Sequence, residues 1–184
     1  MDYRANFETA QTYLEAGLKD KGVESLCKIY NSLRNEGINK DRETFLKLTP
    51  LMAKLAMENG KVTEAARFID EGLSIDHYDC DLLFLSVMNL WDQGRHDEMF
   101  AALVSYLISI SMQDIALKKY RYVNDLSINK VFNMLVPSAY GNSVAHEETS
   151  HIVKELAAKM DNPYITRLAN MLEEIDQRRA METR

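Results

Sequence analysis

Two stretches of the chain decide the fold: ENGKVTEA at Glu58–Ala65 and DQGRHDEM at Asp92–Met99. In each, a glycine is followed by three residues, then by a glutamate and a small or slender apolar residue. The two glycines, Gly60 and Gly94, lie 34 residues apart. Glycine suits the left-handed backbone that ends a helix, and the next helix then approaches closely at the last residue of each stretch. The spacing predicts two consecutive helix–turn–helix units.

A period of 34 residues is that of the tetratricopeptide repeat, and the chain resembles this family over two periods that begin at Leu46 and Cys80. Apolar or small residues recur in both periods at the spacing of a buried helical stripe. The resemblance implies an all-α fold, an α-α superhelix of tetratricopeptide-like helical hairpins with C-terminal capping helices. We expect a single helical-repeat domain over 1–184. Its hairpins are expected at about 5–36, 42–76 and 79–110, with irregular and capping helices over 112–180.

Capping residues predict where several helices begin. Asp41 and Asp79 are each expected to cap the helix that follows them. Pro50 interrupts the first of these helices and is expected to kink it or to mark a later start. Asp161 or Asn162 is expected to cap the last helix, in which a proline takes the first position.

The 34-residue pattern weakens after the second period. A helix is predicted over Gln113–Asn124, a short apolar segment over Lys130–Leu135 and a loop over Pro137–Asn142. Two further helices, over about 147–160 and 163–180, each carry an apolar face. They are expected to close the stack, because a helical array must cover its last apolar face.

Composition argues against several functions. The net charge is −6, and no basic stretch of the kind that binds nucleic acid stands out. The longest apolar stretch, around Met99–Ile110, contains two serines and falls short of a membrane span. Cys27 and Cys80 lie far apart, which disfavours a disulfide scaffold or a zinc site and favours a reducing compartment. Because the N-terminus is polar and unlike a signal peptide, we expect a cytoplasmic protein without membrane insertion.

Motifs that could carry chemistry are few. His146 and His151 are five residues apart, about 140° around a helix, so both do not easily face one metal ion. The acidic run Asp76–Asp81 is better explained by capping of the next helix than by metal ligation. The sequence contains no glycine-rich phosphate loop and no recognisable nucleophile motif. It therefore predicts no cofactor, no metal and no enzymatic activity.

In a tetratricopeptide stack the first helix of each hairpin lines a concave groove, and the resemblance assigns residues of this chain to that wall. They are Lys54, Met57, Phe84, Met88 and Trp91. Phe84, Met88 and Trp91 share one stripe of a helix whose neighbouring stripe is also apolar. Such a surface suits an apolar peptide anchor. The alternative is that the chain's own helix after Ser111, or a second copy of the protein, covers the stripe.

Three stretches carry a narrower resemblance: Asn59–Tyr106, Met171–Ile175 and, more loosely, Tyr13–Leu26. They are similar to the tetratricopeptide chaperones of bacterial type III secretion, small acidic cytoplasmic proteins that hold apolar translocator subunits before export. This resemblance implies that the chain grips an extended segment of a protein partner in a concave cleft. It also implies a homodimer formed through the N-terminal helices.

The function predicted from the sequence is that of a chaperone or adaptor that binds an extended or unfolded apolar segment of a partner protein. A competing interpretation is a structural or regulatory scaffold that self-associates or assembles a complex without a peptide groove. A third is an enzyme whose site the sequence does not reveal. A deep polar pocket with clustered carboxylates would favour that third interpretation.

Overall fold

The computed structural model describes residues 2–113 and 121–182, and the regular elements within these ranges are helices. The contacts divide the chain into two compact units, Met1–His77 and Tyr78–Arg184. Within the described ranges, the prediction of an all-α fold with packed neighbouring helix pairs is confirmed. The prediction of a single domain over the whole chain stays a prediction.

The first unit consists of two helix pairs. Helix α1 (Tyr3–Glu15) packs along α2 (Lys19–Glu36). A 3-10 turn (Ile38–Lys40) leads to α3 (Arg42–Glu58), which packs along α4 (Val62–Leu73). Helix α3 also contacts both helices of the first pair, so the second pair is joined to the first through the helix that opens it.

Aromatic rings connect the two pairs of the first unit. Tyr30 of α2 stacks on Phe45 of α3 with ring centroids 6.0 Å apart, and it meets Phe68 of α4 edge-on at 5.1 Å. The Tyr30 hydroxyl donates a hydrogen bond to the carboxylate of Glu71 on α4. Burial, followed by this hydrogen bond, raises the pKa of Tyr30 to about 12, so the phenol remains a donor at neutral pH. Such ring pairs contribute about 0.5–1.5 kcal/mol beyond the area they bury.

The second unit is organised around one long helix. Helix α5 (Cys80–Asp92) packs along α6 (His96–Met112), and α9 (His146–Lys159) packs along α10 (Pro163–Glu182). Between these pairs the chain forms α7 (Asp125–Lys130), a π-helical turn (Val131–Leu135) and α8 (Val136–Asn142). Helix α6 contacts α8, α9 and α10, and it therefore forms the centre of this unit.

The segment before α9 differs from the prediction. The loop predicted over Pro137–Asn142 is wrong, because these residues belong to α8 (Val136–Asn142), which continues directly from the π-helical turn (Val131–Leu135). Pro137 lacks the N–H that would bond to the preceding turn, and the helix is widened to a π-helical turn immediately before it. The helix predicted over Gln113–Asn124 falls mainly on residues 114–120, outside the described ranges, and residues 121–124 are not helical.

The predicted caps are confirmed. Asp41 and Asp79 each accept a hydrogen bond from the backbone N–H three residues further on, both at 2.9 Å. Asn162, and not Asp161, caps α10 and accepts two backbone N–H groups at 3.0 and 3.2 Å. Helix α3 continues through Pro50, so the later start considered for this helix is wrong.

The turns at Gly60 and Gly94 share one geometry. Both glycines have a φ of +69°. In each turn the glycine N–H bonds to the carbonyl three residues earlier, and the next N–H bonds to the carbonyl five residues earlier. This pair of bonds is the Schellman arrangement that ends helices. Ala65 and Met99, five residues after the glycines, are fully buried, as the predicted close approach requires.

A substitution at Gly94 tests this turn geometry. Replacing Gly94 by Ala is expected to lower the free energy of unfolding by about 1–2 kcal/mol, because a Cβ opposes the left-handed conformation. Gly94→Asn is expected to cost less, because asparagine tolerates that conformation. Urea denaturation followed by circular dichroism measures both.

The control is Gly141→Ala in α8. Among the described atoms, a methyl group there would meet nothing closer than the Arg179 side chain at 3.6 Å, so the change is expected to be neutral or stabilising. Equal losses for Gly94→Ala and Gly94→Asn would contradict a left-handed residue at this turn.

Candidate protein-binding surfaces

The apolar stripe predicted on α5 is covered unevenly. Phe84 is 9% exposed, and its ring centroid lies 5.8 Å from that of Tyr106 on α6. Met88 and Trp91 are half-buried and follow at intervals of about one helical turn. Of the three residues expected to line a groove from α5, Phe84 therefore has the least surface to offer a partner. The stripe presents mainly Met88 and Trp91.

The rest of α5 is packed into the second unit. Four of its other large apolar side chains are at most 5% exposed, and a fifth, Leu90, is half-buried; the four are Leu82, Leu83, Leu85 and Val87. A surface helix of a globular protein usually buries one apolar stripe and exposes a polar face. Helix α5 departs from this pattern, because its surface includes a second and incompletely covered apolar stripe.

The exposed part of Trp91 is apolar. Its indole Nε1 is buried and has no hydrogen-bond partner within the described ranges. Solvent therefore reaches other atoms of this residue and not its one polar side-chain group. Met88 adds a flexible and polarizable thioether beside it. Tryptophan is among the residues that most often anchor protein partners.

A buried carboxylate in the first turn of α5 serves the fold. Asp81 is 7% exposed, and its oxygens accept the backbone N–H groups of Arg121 and Tyr122 at 2.8 Å and of Val123 at 3.2 Å. Burial raises the pKa of Asp81, while the three donors act in the opposite direction. The Asp81 carboxylate is therefore occupied by the chain's own backbone.

The residues expected on α3 form a mixed surface in the first unit. Lys54 and Met57 are both half-buried and lie about one turn apart. The Lys54 ammonium is 3.4 Å from the Glu58 carboxylate, which is also 3.9 Å from the ammonium of Lys19. These ion pairs are exposed and contribute little to stability. The surface thus combines one apolar side chain with two cations that share one carboxylate.

Sequence reasoning missed a polar cluster that joins α8, α9 and α10. The Tyr140 hydroxyl donates to the Asp176 carboxylate at 2.8 Å, and the Ser150 hydroxyl donates to it at 3.2 Å. The Arg179 guanidinium lies 5.5 Å from the Tyr140 ring centroid. Burial, followed by the bond to Asp176, raises the pKa of Tyr140 to about 12. The phenol is therefore a stable donor, and the cluster holds three helices together.

The histidines of α9 are engaged separately. His146 meets the Tyr140 ring edge-on at 5.9 Å, and the His151 imidazole lies 3.3 Å from the Glu155 carboxylate. Over residues 2–113 and 121–182, His, Cys, Asp and Glu side chains do not gather in threes that could hold a metal ion. A helix with the length and apolar character needed to cross a bilayer is also missing from those two ranges.

Comparison of the chain with models of protein families, with curated proteins and with solved structures gives no match. Evidence for function therefore comes from the helix pairs and from the surfaces they carry. Two surfaces contain the half-buried residues predicted to bind a partner, namely Met88 and Trp91 on α5 and Lys54 and Met57 on α3.

Substitution of Asp81 tests its structural role. Asp81→Ala is expected to lower the free energy of unfolding by about 2–4 kcal/mol. Each buried N–H group left without an acceptor costs about 1–3 kcal/mol, and hydrogen bonds to water recover part of this cost. Chemical denaturation measures the loss. The matched control is Asp92→Ala at the exposed end of the same helix, which is expected to change stability by less than about 0.5 kcal/mol. Similar values for both variants would contradict the role of Asp81.

Proposed function

We propose that this protein is a helical-repeat chaperone or adaptor that binds an extended apolar segment of a partner protein. The observation that carries the proposal is the half-buried pair Met88 and Trp91 on α5, a helix that also leaves Leu90 half-buried and buries its remaining large apolar residues almost completely. An apolar pair left at the surface of such a helix gains most by contact with another apolar group. Binding of this kind requires no cofactor and no catalytic residue.

The free energy available from two apolar anchors favours an extended partner segment over a compact ligand. Full burial of one large apolar side chain contributes about 1.5–3 kcal/mol. Two such anchors, after the loss of translational and rotational freedom, give at most weak binding. A partner segment must therefore touch further surfaces, which an extended chain does more easily than a small molecule.

The surface on α3, within the first unit, is proposed as a binding surface of its own. Lys54 and Met57 of α3 correspond to Met88 and Trp91 of α5, which lie one 34-residue period further along the chain. Two lysines share Glu58 there, so the local charge is positive. A partner segment with an acidic residue near an apolar one would satisfy this surface.

A tetratricopeptide superhelix is the architecture that we propose for this activity. Its support is the shared geometry of the turns at Gly60 and Gly94, with full burial of Ala65 and Met99. The resemblance to chaperones of type III secretion supplies the class of partner, an apolar protein held before export. In that setting the protein acts in the cytoplasm.

Fluorescence of Trp91 tests the proposal directly, because it is the only tryptophan of the chain. The probe is a tryptophan-free, unstructured peptide in which leucines alternate with serines and glutamates. Titration is expected to shift the Trp91 emission to shorter wavelength in a saturable manner. Met88→Ser is expected to weaken binding by about tenfold, equivalent to about 1.4 kcal/mol.

The matched control is Met181→Ser, a methionine that is 73% exposed near the end of α10. This substitution is expected to leave the titration unchanged. An emission spectrum that does not respond to the peptide, or an equal effect of both substitutions, would contradict a binding surface on α5.

Light scattering coupled to size exclusion tests the self-association that the resemblance implies. We propose a homodimer formed through α1 and α2, for which the expected mass is twice that of one chain. The fluorescence of Trp91 should remain sensitive to an aqueous quencher in this dimer, since the proposed interface is formed by α1 and α2 and not by α5. A larger oligomer in which quenching of Trp91 is lost would favour the scaffold over the chaperone.

A further inference from the structure

The first unit contains a cavity that the surfaces on α3 and α5 do not include. Helices α2, α3 and α4 enclose about 100 Å³ beside the turn between α3 and α4. The inner wall is apolar and includes the buried side chains of Leu26, Ala56 and Phe68. The outer end is polar and includes Lys61 and Glu64. The cavity thus has an apolar interior and a charged entrance.

Small side chains leave this volume open. Ala56 of α3 places only a methyl group in the wall, and Cys27 of α2 places a single sulfur atom there. Side chains around an empty apolar cavity lack the dispersion contacts of a filled core. A group that enters the cavity therefore gains these contacts in addition to the burial of its own surface.

The volume limits what can enter. A dry cavity of about 150 Å³ holds one benzene molecule, and sites for larger ligands measure about 300–1,000 Å³. The cavity beside the α3–α4 turn is too small for a cofactor. It matches an aliphatic group of a few carbon atoms, such as the side chain of a leucine or a methionine.

The entrance carries an excess of positive charge. The Glu64 carboxylate lies 3.5 Å from the Lys61 ammonium and 3.6 Å from the Arg67 guanidinium, so two cations share one anion. The Arg67 guanidinium also lies 5.0 Å from the ring centroid of Phe68, so Arg67, which does not line the cavity, contacts two residues that do. The Lys61 side chain is 66% exposed, and an ammonium with three donors can bind a second carboxylate.

We propose that this cavity binds one leucine or methionine side chain of a partner protein, with an aspartate or glutamate directly beside it that contacts Lys61. The cavity selects the apolar group by size, and the entrance selects the neighbouring acid by charge. The inference does not depend on the surface of α5, and it would hold even if Met88 and Trp91 bound nothing.

Methyl NMR of methionine tests the inference at the site itself. Met52 lines the cavity, whereas Met57 and Met88 report on the surfaces proposed for the extended segment. The probes are two blocked pentapeptides with a central leucine, flanked in one by aspartates and in the other by lysines, with glycines at both ends. The aspartate peptide is expected to shift the Met52 methyl signal in a saturable manner, and the lysine peptide is expected to bind at least about tenfold more weakly.

Two substitutions at Cys27 separate filling of the cavity from loss of the thiol. Cys27→Leu places an aliphatic side chain in the cavity and is expected to abolish the shift of Met52. Cys27→Ser leaves the volume open and is expected to preserve the shift. Lys61→Glu, at an exposed position, is expected to reverse the preference so that the lysine peptide binds better.

Several outcomes would overturn the inference. The first two are an unchanged Met52 signal on addition of peptide and equal binding of both peptides. The third is a Met52 signal that shifts with protein concentration in the absence of peptide, which would indicate that a second copy of the protein occupies the cavity. A shift of Met88 without a shift of Met52 would remove the cavity as a site and leave the proposed function intact. A shift of Met52 without a shift of Met88 would support the cavity as a site and contradict the proposed binding surface on α5.

Discussion

The pairs α3–α4 and α5–α6 depend on a left-handed residue at the end of α3 and of α5. Gly60 and Gly94, both with φ of +69°, let the following N–H reach a carbonyl five residues back, which reverses the chain within a few residues. Because the reversal is tight, Ala65 and Met99 meet the preceding helix and are fully buried. This packing sets the rotation of each helix about its axis. The rotation decides which side chains face the core and which remain at the surface.

Long-range polar contacts hold the second unit together where the repeat pattern stops. The Asp81 carboxylate binds the backbone of residues 121–123, and the Asn162 amide donates to the Leu107 carbonyl at 3.3 Å and to the Ser111 hydroxyl at 3.0 Å. A buried polar group without a partner costs free energy, so each of these contacts favours one arrangement of the helices over its alternatives. Helix α10 is therefore positioned both by the hydrogen bonds of Asn162 and by the packing of its apolar face.

Two places in the first unit carry a local excess of positive charge. The net charge is −6, yet two places in this unit bring two cations to one carboxylate. One is Lys19 and Lys54 at Glu58, and the other is Lys61 and Arg67 at Glu64. Each lies beside an apolar feature, Met57 in the first case and the cavity in the second. An acidic and apolar partner segment fits both places, and charge complementarity of this kind contributes more to specificity than to affinity.

The sequence by itself determined most of the helices, though not α8, together with three caps and the turns at Gly60 and Gly94, because these depend on residues within one or two turns of each other. Asp41, Asp79 and Asn162 each bond to a backbone N–H two or three residues away. The tertiary structure decided that Phe84 is covered, that Asp81 is bound and that a cavity adjoins Ala56. The covering ring and the bound backbone lie on segments more than 20 residues away. Local pattern carries no information about such partners, since they meet only when the helices pack.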